Sequence, residues 1–190
     1  SNKGYNNLVH LASIGYNSAI EISGITTPTV TLDQIKSHKE GLKFGSSDIK
    51  GPIGQAFQAG DEQLAVDRFH QFNSEFQVYF EFNPIDITRV FDGKIGFRNV
   101  KNNPLITDGN LNKAYNNFLM DMWTEFGGNC IPVSGACFLK PEDKLVQDCL
   151  SKNAHKDGSY YNESYHIKDT NQIFRELKVH LKPAKEQRNT

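Results

Sequence analysis

The sequence predicts an α+β fold, and three observations lead to that prediction. Two stretches, Asp61–Phe76 and Asn110–Phe126, carry apolar residues at helical spacing. Between them, Gln77–Phe82 alternates large apolar with polar residues, as a strand does. Helical and strand patterns do not alternate strictly along the chain, which favours segregated helices and sheets over regular βαβ units.

The composition is that of one ordinary globular domain. The chain has 190 residues, of which 37% are hydrophobic and 23% charged, and its net charge is −1. We expect residues 1–190 to form a single domain, with 183–190 as a disordered tail. The near-neutral charge excludes an overall field that would attract nucleic acid or membrane. No apolar run approaches the ~20 residues of a membrane span, and the polar start Ser1–Asn7 predicts no signal peptide.

The N-terminal stretch Leu8–Ile25 is interpreted as a short strand, a turn and a short helix. His10 stands among apolar residues at the end of the strand, where a buried imidazole without a partner costs about 1–3 kcal/mol. Ser13 is the expected helix N-cap and Gly24 the expected helix stop. The β-branched run Thr26–Thr31 is then expected to be extended.

The glycine-rich stretch Gly41–Gly60 shows no regular pattern and is interpreted as a loop over a cleft, because long irregular stretches are often functional. Asp61 is the expected N-cap of the first strong helix, Asp61–Phe76. The other predicted elements are a helical turn or two in Asp33–Glu40, strands at Lys94–Val100, Ile131–Leu139 and Ser159–Ile167, a helix at Pro141–Leu150 and a final strand at Gln172–Leu181.

The Leu8–Ile25 stretch resembles the opening motif of ADP-ribosyltransferase toxins of the diphtheria-like, His-Tyr-acidic class. The matching residues are His10, Ser13, Gly15, Ile20, Ser23, Gly24 and Ile25. The resemblance implies two small, mainly antiparallel sheets with flanking helices. It implies an enzyme that cleaves NAD and transfers ADP-ribose to a macromolecular acceptor, protein or nucleic acid. It also implies a secreted or delivered bacterial toxin or effector that acts in the target-cell cytoplasm and has an immunity or other partner protein.

The resemblance also assigns catalytic roles. His10 would hold the nicotinamide-side ribose of NAD, with Ser13 beside the cofactor. Glu163, on a late predicted strand, would stabilise the positive charge that develops as nicotinamide leaves. Glu176 is the second choice for this carboxylate.

An aromatic ring is expected to stack on the nicotinamide. The family places a tyrosine after a Gly-x-Gly-like loop, whereas the corresponding stretch here, GPIGQAF, offers Phe57. Tyr16 and Tyr79 are the other candidates for this contact. A phenylalanine would keep the stacking and lose the hydrogen bond of a tyrosine hydroxyl.

Two alternatives remain open. Cys137 follows a Ser-Gly pair, as in glutamine deamidase toxins, and His155 or His166 would then be its base. A non-catalytic interaction domain is the other alternative, and large exposed apolar patches would mark it. An odd count of three cysteines argues against a disulfide framework, and the scattered histidines predict no metal site.

Overall fold

A computed structural model describes residues 1–85, 103–106, 110–154 and 163–181. Over these ranges the chain has an α+β architecture with seven α-helices and two small sheets. The helices are α1 (Asn2–Asn17), α2 (Leu32–Ser37), α3 (Pro52–Gln58), α4 (Glu62–Phe76), α5 (Leu111–Phe126), α6 (Lys144–Ala154) and α7 (Thr170–His180). The strands are β1 (Ile20–Ile22), β2 (Ile25–Thr27), β3 (Tyr79–Phe82) and β4 (Asn129–Pro132). The predicted strand at Lys94–Val100 and the tail at 183–190 lie outside these ranges.

Helix α1 occupies the place of the strand predicted around His10, and that prediction is wrong. Ser13, expected to cap a helix, lies inside α1, where its hydroxyl donates to the Val9 carbonyl over 3.0 Å. The buried positions of α1 include Leu11 and Gly15, one turn apart. A short apolar run fits both a strand and a helix, and here tertiary packing selects the helix.

A tight hairpin joins β1 and β2, which pair in antiparallel fashion with Ile22 opposite Ile25. The two residues between them, Ser23 and Gly24, have φ angles of 53° and 78°. Two successive positive φ angles define a type I′ turn, whose twist matches that of the strands. Gly24 therefore belongs to a hairpin turn, and the expectation that it ends a helix is wrong.

Close contact between two glycines fixes α1 to the rest of the chain. A Cβ atom on Gly4 would clash with the Gly41 carbonyl oxygen, so the backbone of the helix is in close contact with the backbone at Gly41. One turn further along α1, the Asn7 amide donates to the Glu40 carbonyl over 2.8 Å. Helix α1 is thus anchored along one side only.

The second sheet is parallel. Strands β3 and β4 pair from Tyr79–Asn129 to Phe82–Pro132. Residues 44–46 run beside the other edge of β3 through a parallel bridge between Gly45 and Tyr79. Two small sheets are confirmed, but mainly antiparallel pairing is wrong for this one. Parallel strands need a long connection between them, and α5 lies in the connection from β3 to β4.

The core lies between this sheet and helices α3, α4 and α5. At its centre the Phe80 ring stacks on Phe69, with centroids 4.0 Å apart. Helix α3 lies within the glycine-rich stretch that was expected to be a loop, and it buries Ile53 and Phe57. Its residues at helical spacing are apolar, and Pro52 at its first turn starts it. The expectation of an irregular stretch from Gly41 to Gly60 is therefore wrong.

The predictions for the strongest elements are confirmed. Asp61 caps α4 through its bond to the Leu64 N–H, and Asn110 caps α5 through its bond to the Lys113 N–H. The final strand predicted at Gln172–Leu181 is wrong, because this segment belongs to α7. No helix in the described part of the chain is long and apolar enough to cross a membrane.

Candidate functional site

The predicted NAD-binding residues of the first motif all lie on α1. His10 is exposed, and its ring centroid lies 4.8 Å from that of His38. Ser13 is exposed and bonded within the helix, and Tyr16 is 75% exposed. The imidazole of His10 is therefore a surface group next to a second imidazole, and not a buried strand residue.

The candidate stacking residues lie in other surroundings. Phe57 is only 2% exposed, and its ring packs 5.3 Å from Phe118 and 5.5 Å from Tyr115, measured between centroids. Tyr79 is half-buried on β3, and the Lys43 ammonium lies 5.7 Å from its ring centroid. Phe57 is therefore covered by other side chains, whereas Tyr79 is partly accessible.

The candidate carboxylates lie near the C-terminal end of the described chain. Glu163 begins a short 3-10 helix, Glu163–Tyr165, so the strand predicted through it is wrong at this point. Glu176 lies on α7 with its carboxylate 3.5 Å from the ammonium of Lys168, a fully buried side chain. Because a buried ammonium needs a counter-charge, Glu176 has a structural role. Among the ion pairs, hydrogen bonds and ring contacts of the described residues, none joins His10 to Phe57, Tyr79 or Glu176.

The rival cysteine site is partly assembled. The Cys137 N–H donates to the Tyr165 carbonyl over 2.7 Å, and Phe138 bridges His166 in parallel orientation. The thiol is exposed and lies 3.3 Å from the Gly135 carbonyl oxygen. The structure thus brings the segment of Cys137 beside that of His166, one of its two proposed bases. The other, His155, lies outside the described residues.

A layer of asparagine side chains lies where β3 ends. The Asn116 amide accepts the Asn83 N–H over 3.2 Å and donates to the Asn83 carbonyl over 2.8 Å. One turn earlier on α5, Asn112 donates to the Ile85 carbonyl over 2.9 Å. The sequence analysis missed this layer, although two asparagines four residues apart on an apolar helix were a usable signal.

Two carboxylates and a buried phenol influence one another electrostatically near the parallel sheet. Glu81 on β3 packs against Gly45, whose added Cβ would lie 2.0 Å from Oε1 of Glu81. Burial raises the pKa of Glu81, the Ser47 N–H that bonds to it lowers the pKa, and the charge of Asp48 raises it further. Burial also raises the pKa of Tyr115, and the charges of Asp48 and Glu81 add to that rise. The Tyr115 hydroxyl is buried and makes no hydrogen bond to any described residue.

The carboxyl ends of parallel strands are the usual ligand-binding edge of an α/β sheet. Here that edge holds Glu81 and, after β4, the buried hydroxyl of Ser134, which has no hydrogen-bond partner among the described residues. The arrangement is polar and compact. In the described part of the chain no group of three or more metal-binding side chains occurs, at this edge or elsewhere.

One side of α1, away from its anchored positions, departs from ordinary packing. Apolar side chains recur there at positions i, i+3, i+4 and i+11, and all are exposed. Tyr5 is 69% exposed and Leu8 56%, and Val9 and Tyr16 complete the row. Helix α1 therefore has two apolar sides, of which the protein itself covers one.

The hairpin continues this exposed surface along the chain. Ile20, Ile22 and Ile25 fall on one face of the β1–β2 pair, because Ile22 and Ile25 are opposite each other and Ile20 is two residues away. All three are exposed. We call the α1 row and these isoleucines together the N-terminal apolar surface, which consists of Tyr5, Leu8, Val9, Tyr16, Ile20, Ile22 and Ile25.

The same region is poor in charge. Ser1–Leu32 contains two charged side chains, Lys3 and Glu21, in a chain that is 23% charged overall. Depletion of charge, with tyrosine present, is what distinguishes the centre of a protein interface from ordinary surface. A solvated surface would carry more lysine and glutamate.

No protein-family model matches the chain, and no curated protein sequence matches it.

Proposed function

We propose that this chain is a protein-binding domain that docks its partner on the N-terminal apolar surface. The observation that carries the proposal is the exposed row on α1, where no element of the described chain covers Tyr5, Leu8, Val9 and Tyr16. Burying one large apolar side chain contributes about 1.5–3 kcal/mol, so a partner that covers this row gains a substantial part of a binding free energy.

The hairpin supports the same proposal. A two-stranded hairpin is marginally stable alone in water, and this one buries none of its strand residues apart from the half-covered Thr27. Each of its strands pairs on one edge only, within the described sheet. A partner that covers the isoleucine face would stabilise β1 and β2 as well as bind them.

A protein partner fits this surface better than a membrane does. Helices that lie on membranes carry lysine and arginine along their polar side. Helix α1 contains one cationic residue, Lys3, and that residue is paired with Glu40 over 3.2 Å. The surface therefore offers apolar contact without the positive charge that would hold it to anionic lipid.

Site-specific photo-crosslinking in the cells that produce the chain tests the proposal. A photoreactive phenylalanine derivative replaces Tyr16, and the matched control carries it in place of exposed Lys178 on α7. We expect one saturable crosslinked protein from position 16 and none from position 178. Excess unlabelled chain should suppress the product, whereas excess Leu8→Glu chain should not.

Leu8 is 56% exposed, so the charged variant should keep its stability within about 0.5 kcal/mol. Equal yields from both positions, or equal competition by the Leu8→Glu chain, would contradict the proposal. A product of twice the mass of the chain would identify a second copy as the partner.

We keep NAD cleavage with ADP-ribosyl transfer as a second proposal, supported by the resemblance of Leu8–Ile25 and by the exposure of its histidine. The ring of His10 is exposed beside the half-buried ring of His38, so the His10 imidazole is accessible to a ligand. Incubation with labelled NAD should release free nicotinamide and label a macromolecule, and His10→Ala should abolish both. Unchanged turnover in that variant, or none in the parent chain, would remove this proposal.

A further inference from the structure

A pocket of about 240 Å³ lies beneath α2, and none of its lining residues belongs to the N-terminal apolar surface. Its walls come from α2, residues 44–47, the start of α3 and the end of α4. Most of the lining is apolar, contributed by Leu32, Ile35, Phe44, Phe72, Phe76 and Val78. Gly45, Ser46 and Ser47 form the polar end of the pocket.

The pocket is already formed in the free chain. Val78 and Phe76 belong to the core and are almost fully buried. The Thr31 capping box fixes the start of α2, and the Lys36 ammonium lies 2.9 Å from the Glu75 carboxylate at the end of α4. The ion pair thus ties the end of α2 to the end of α4 beside the pocket, and the capping box stabilises the start of the helix itself.

The lining indicates a planar aromatic ligand. The Phe44 and Phe76 centroids lie 5.2 Å apart at 50°, and those of Phe72 and Phe76 6.0 Å apart at 34°. Such tilted rings leave faces and edges for a further ring to contact. Since a cavity of about 150 Å³ holds benzene, this volume suits a bicyclic ring.

The polar end supplies one free hydroxyl. Ser46 Oγ accepts the Glu81 N–H and donates to the Ser47 carbonyl, so its capacity is used within the protein. Ser47 is exposed at a strained φ of 61°, and its hydroxyl makes no hydrogen bond to any described residue. Strained residues of this kind are often retained at ligand sites.

Charge near the polar end selects among aromatic ligands. Asp48 follows Ser47 directly, and the Glu81 carboxylate lies against Gly45. Two carboxylates thus lie next to residues of the polar end, where they repel an anionic group and attract a cationic one. We infer that this pocket binds an indole-sized aromatic ring that carries a neutral or positively charged substituent.

Binding of three probes tests the inference: indole, tryptamine and indole-3-acetate. They share the ring and differ in charge. Titration followed by protein NMR should show saturable shifts in the Phe44 and Phe76 ring protons with the first two. Tryptamine should bind about tenfold more tightly than indole-3-acetate, because of the adjacent acids.

A filled pocket supplies the control. Ile35→Trp places a ring inside the pocket and should lower tryptamine affinity about tenfold or more. Leu64→Trp, on the part of α4 that does not line the pocket, should leave the affinity unchanged. If Ile35→Trp does not fold, contacts between ligand protons and the Phe44 or Phe76 ring, seen as NOEs in the parent chain, decide the matter. Absence of those NOEs, equal affinity for the acid and the amine, or unchanged binding in a folded Ile35→Trp chain would overturn the inference.

Discussion

Asn116 of α5 holds both backbone groups of Asn83, accepting its N–H over 3.2 Å and donating to its carbonyl over 2.8 Å. Both residues are buried, so neither backbone group has water as an alternative. This side chain therefore fastens α5 to the end of β3 in the way that a neighbouring strand would.

Asn116→Ala should destabilise the fold by about 2–4 kcal/mol, because it leaves a buried N–H and a buried carbonyl without partners. Urea denaturation measures the change. Asn171→Ala, on an exposed position of α7, should change stability by about 0.5 kcal/mol or less. A loss for Asn116→Ala as small as that of the control would show that Asn83 finds other partners.

Tyr115→Phe should keep or raise stability. The Tyr115 hydroxyl is buried without a hydrogen bond, and such a group costs about 1–3 kcal/mol. Removing the oxygen removes that cost and preserves the ring packing against Phe57 and Phe118. Thermal unfolding of the variant checks this, with Tyr79→Phe on the accessible side of β3 as the matched control. A clear loss of stability in Tyr115→Phe alone would reveal a bound partner of the hydroxyl.

Stability should fall with rising pH through the titration of Glu81. Burial raises its pKa above the ordinary value of 4.5, so the folded chain binds this proton more tightly than the unfolded chain does. Stability from this group is therefore full at a pH below 4.5 and is lost as the pH rises through the folded pKa.

Glu81→Gln removes this dependence and should gain stability relative to the parent chain between acidic and neutral pH. Urea midpoints across that range measure the difference, and Glu125→Gln, at an exposed position, serves as control. A parallel pH profile for Glu81→Gln and its parent would show that this carboxylate is not desolvated.

The three cysteines should react at different rates. Burial raises the pKa of Cys130 to about 11, so only about 0.1% of it is thiolate at pH 8. Cys137 and Cys149 are exposed. Timed alkylation with iodoacetamide, read by peptide mass spectrometry, should label these two first. Early modification of Cys130 would contradict the packing around β4.

Phe57→Ala distinguishes a role of Phe57 in core packing from the nicotinamide-stacking role that the sequence suggested. Because the ring is buried between Tyr115 and Phe118, its loss should cost about 3–5 kcal/mol in unfolding free energy. A variant of parental stability with weaker NAD binding would instead place Phe57 in a cofactor site.

The two long helices were predictable because their patterns are long and their caps are local. Asp61 and Asn110 bond to N–H groups three residues ahead, so sequence neighbours alone define these starts. The final helix α7 carries the same signal, since Asp169 and Gln172 form a capping box, but its apolar residues were interpreted as partly periodic strand residues.

The first motif and the acidic edge were not predictable in this way. A run such as Leu8–Leu11 fits two periods, and packing of Gly4 against Gly41 selects one of them. The pair of Asp48 and Glu81 exists only because residues 44–46 lie parallel to β3, which is a contact between distant parts of the chain. The spacing of apolar residues also does not predict that one side of α1 is exposed, because it indicates only that this side is apolar.

The parallel sheet also determines the order in which the chain can fold. Tyr79 pairs with Gly45 on one side and with Asn129 on the other. The second edge of β3 is therefore covered only after β4 and the helix that connects them have been synthesised. Pairing of strands that are distant in sequence is slow, because the chain loses conformational entropy before the stabilising contacts form. The hairpin of β1 and β2 closes through a two-residue turn and can form within microseconds. During synthesis, the turn of this hairpin can therefore close well before the sheet does, and the phenylalanine-rich edge of β3 stays open until α5 and β4 have left the ribosome.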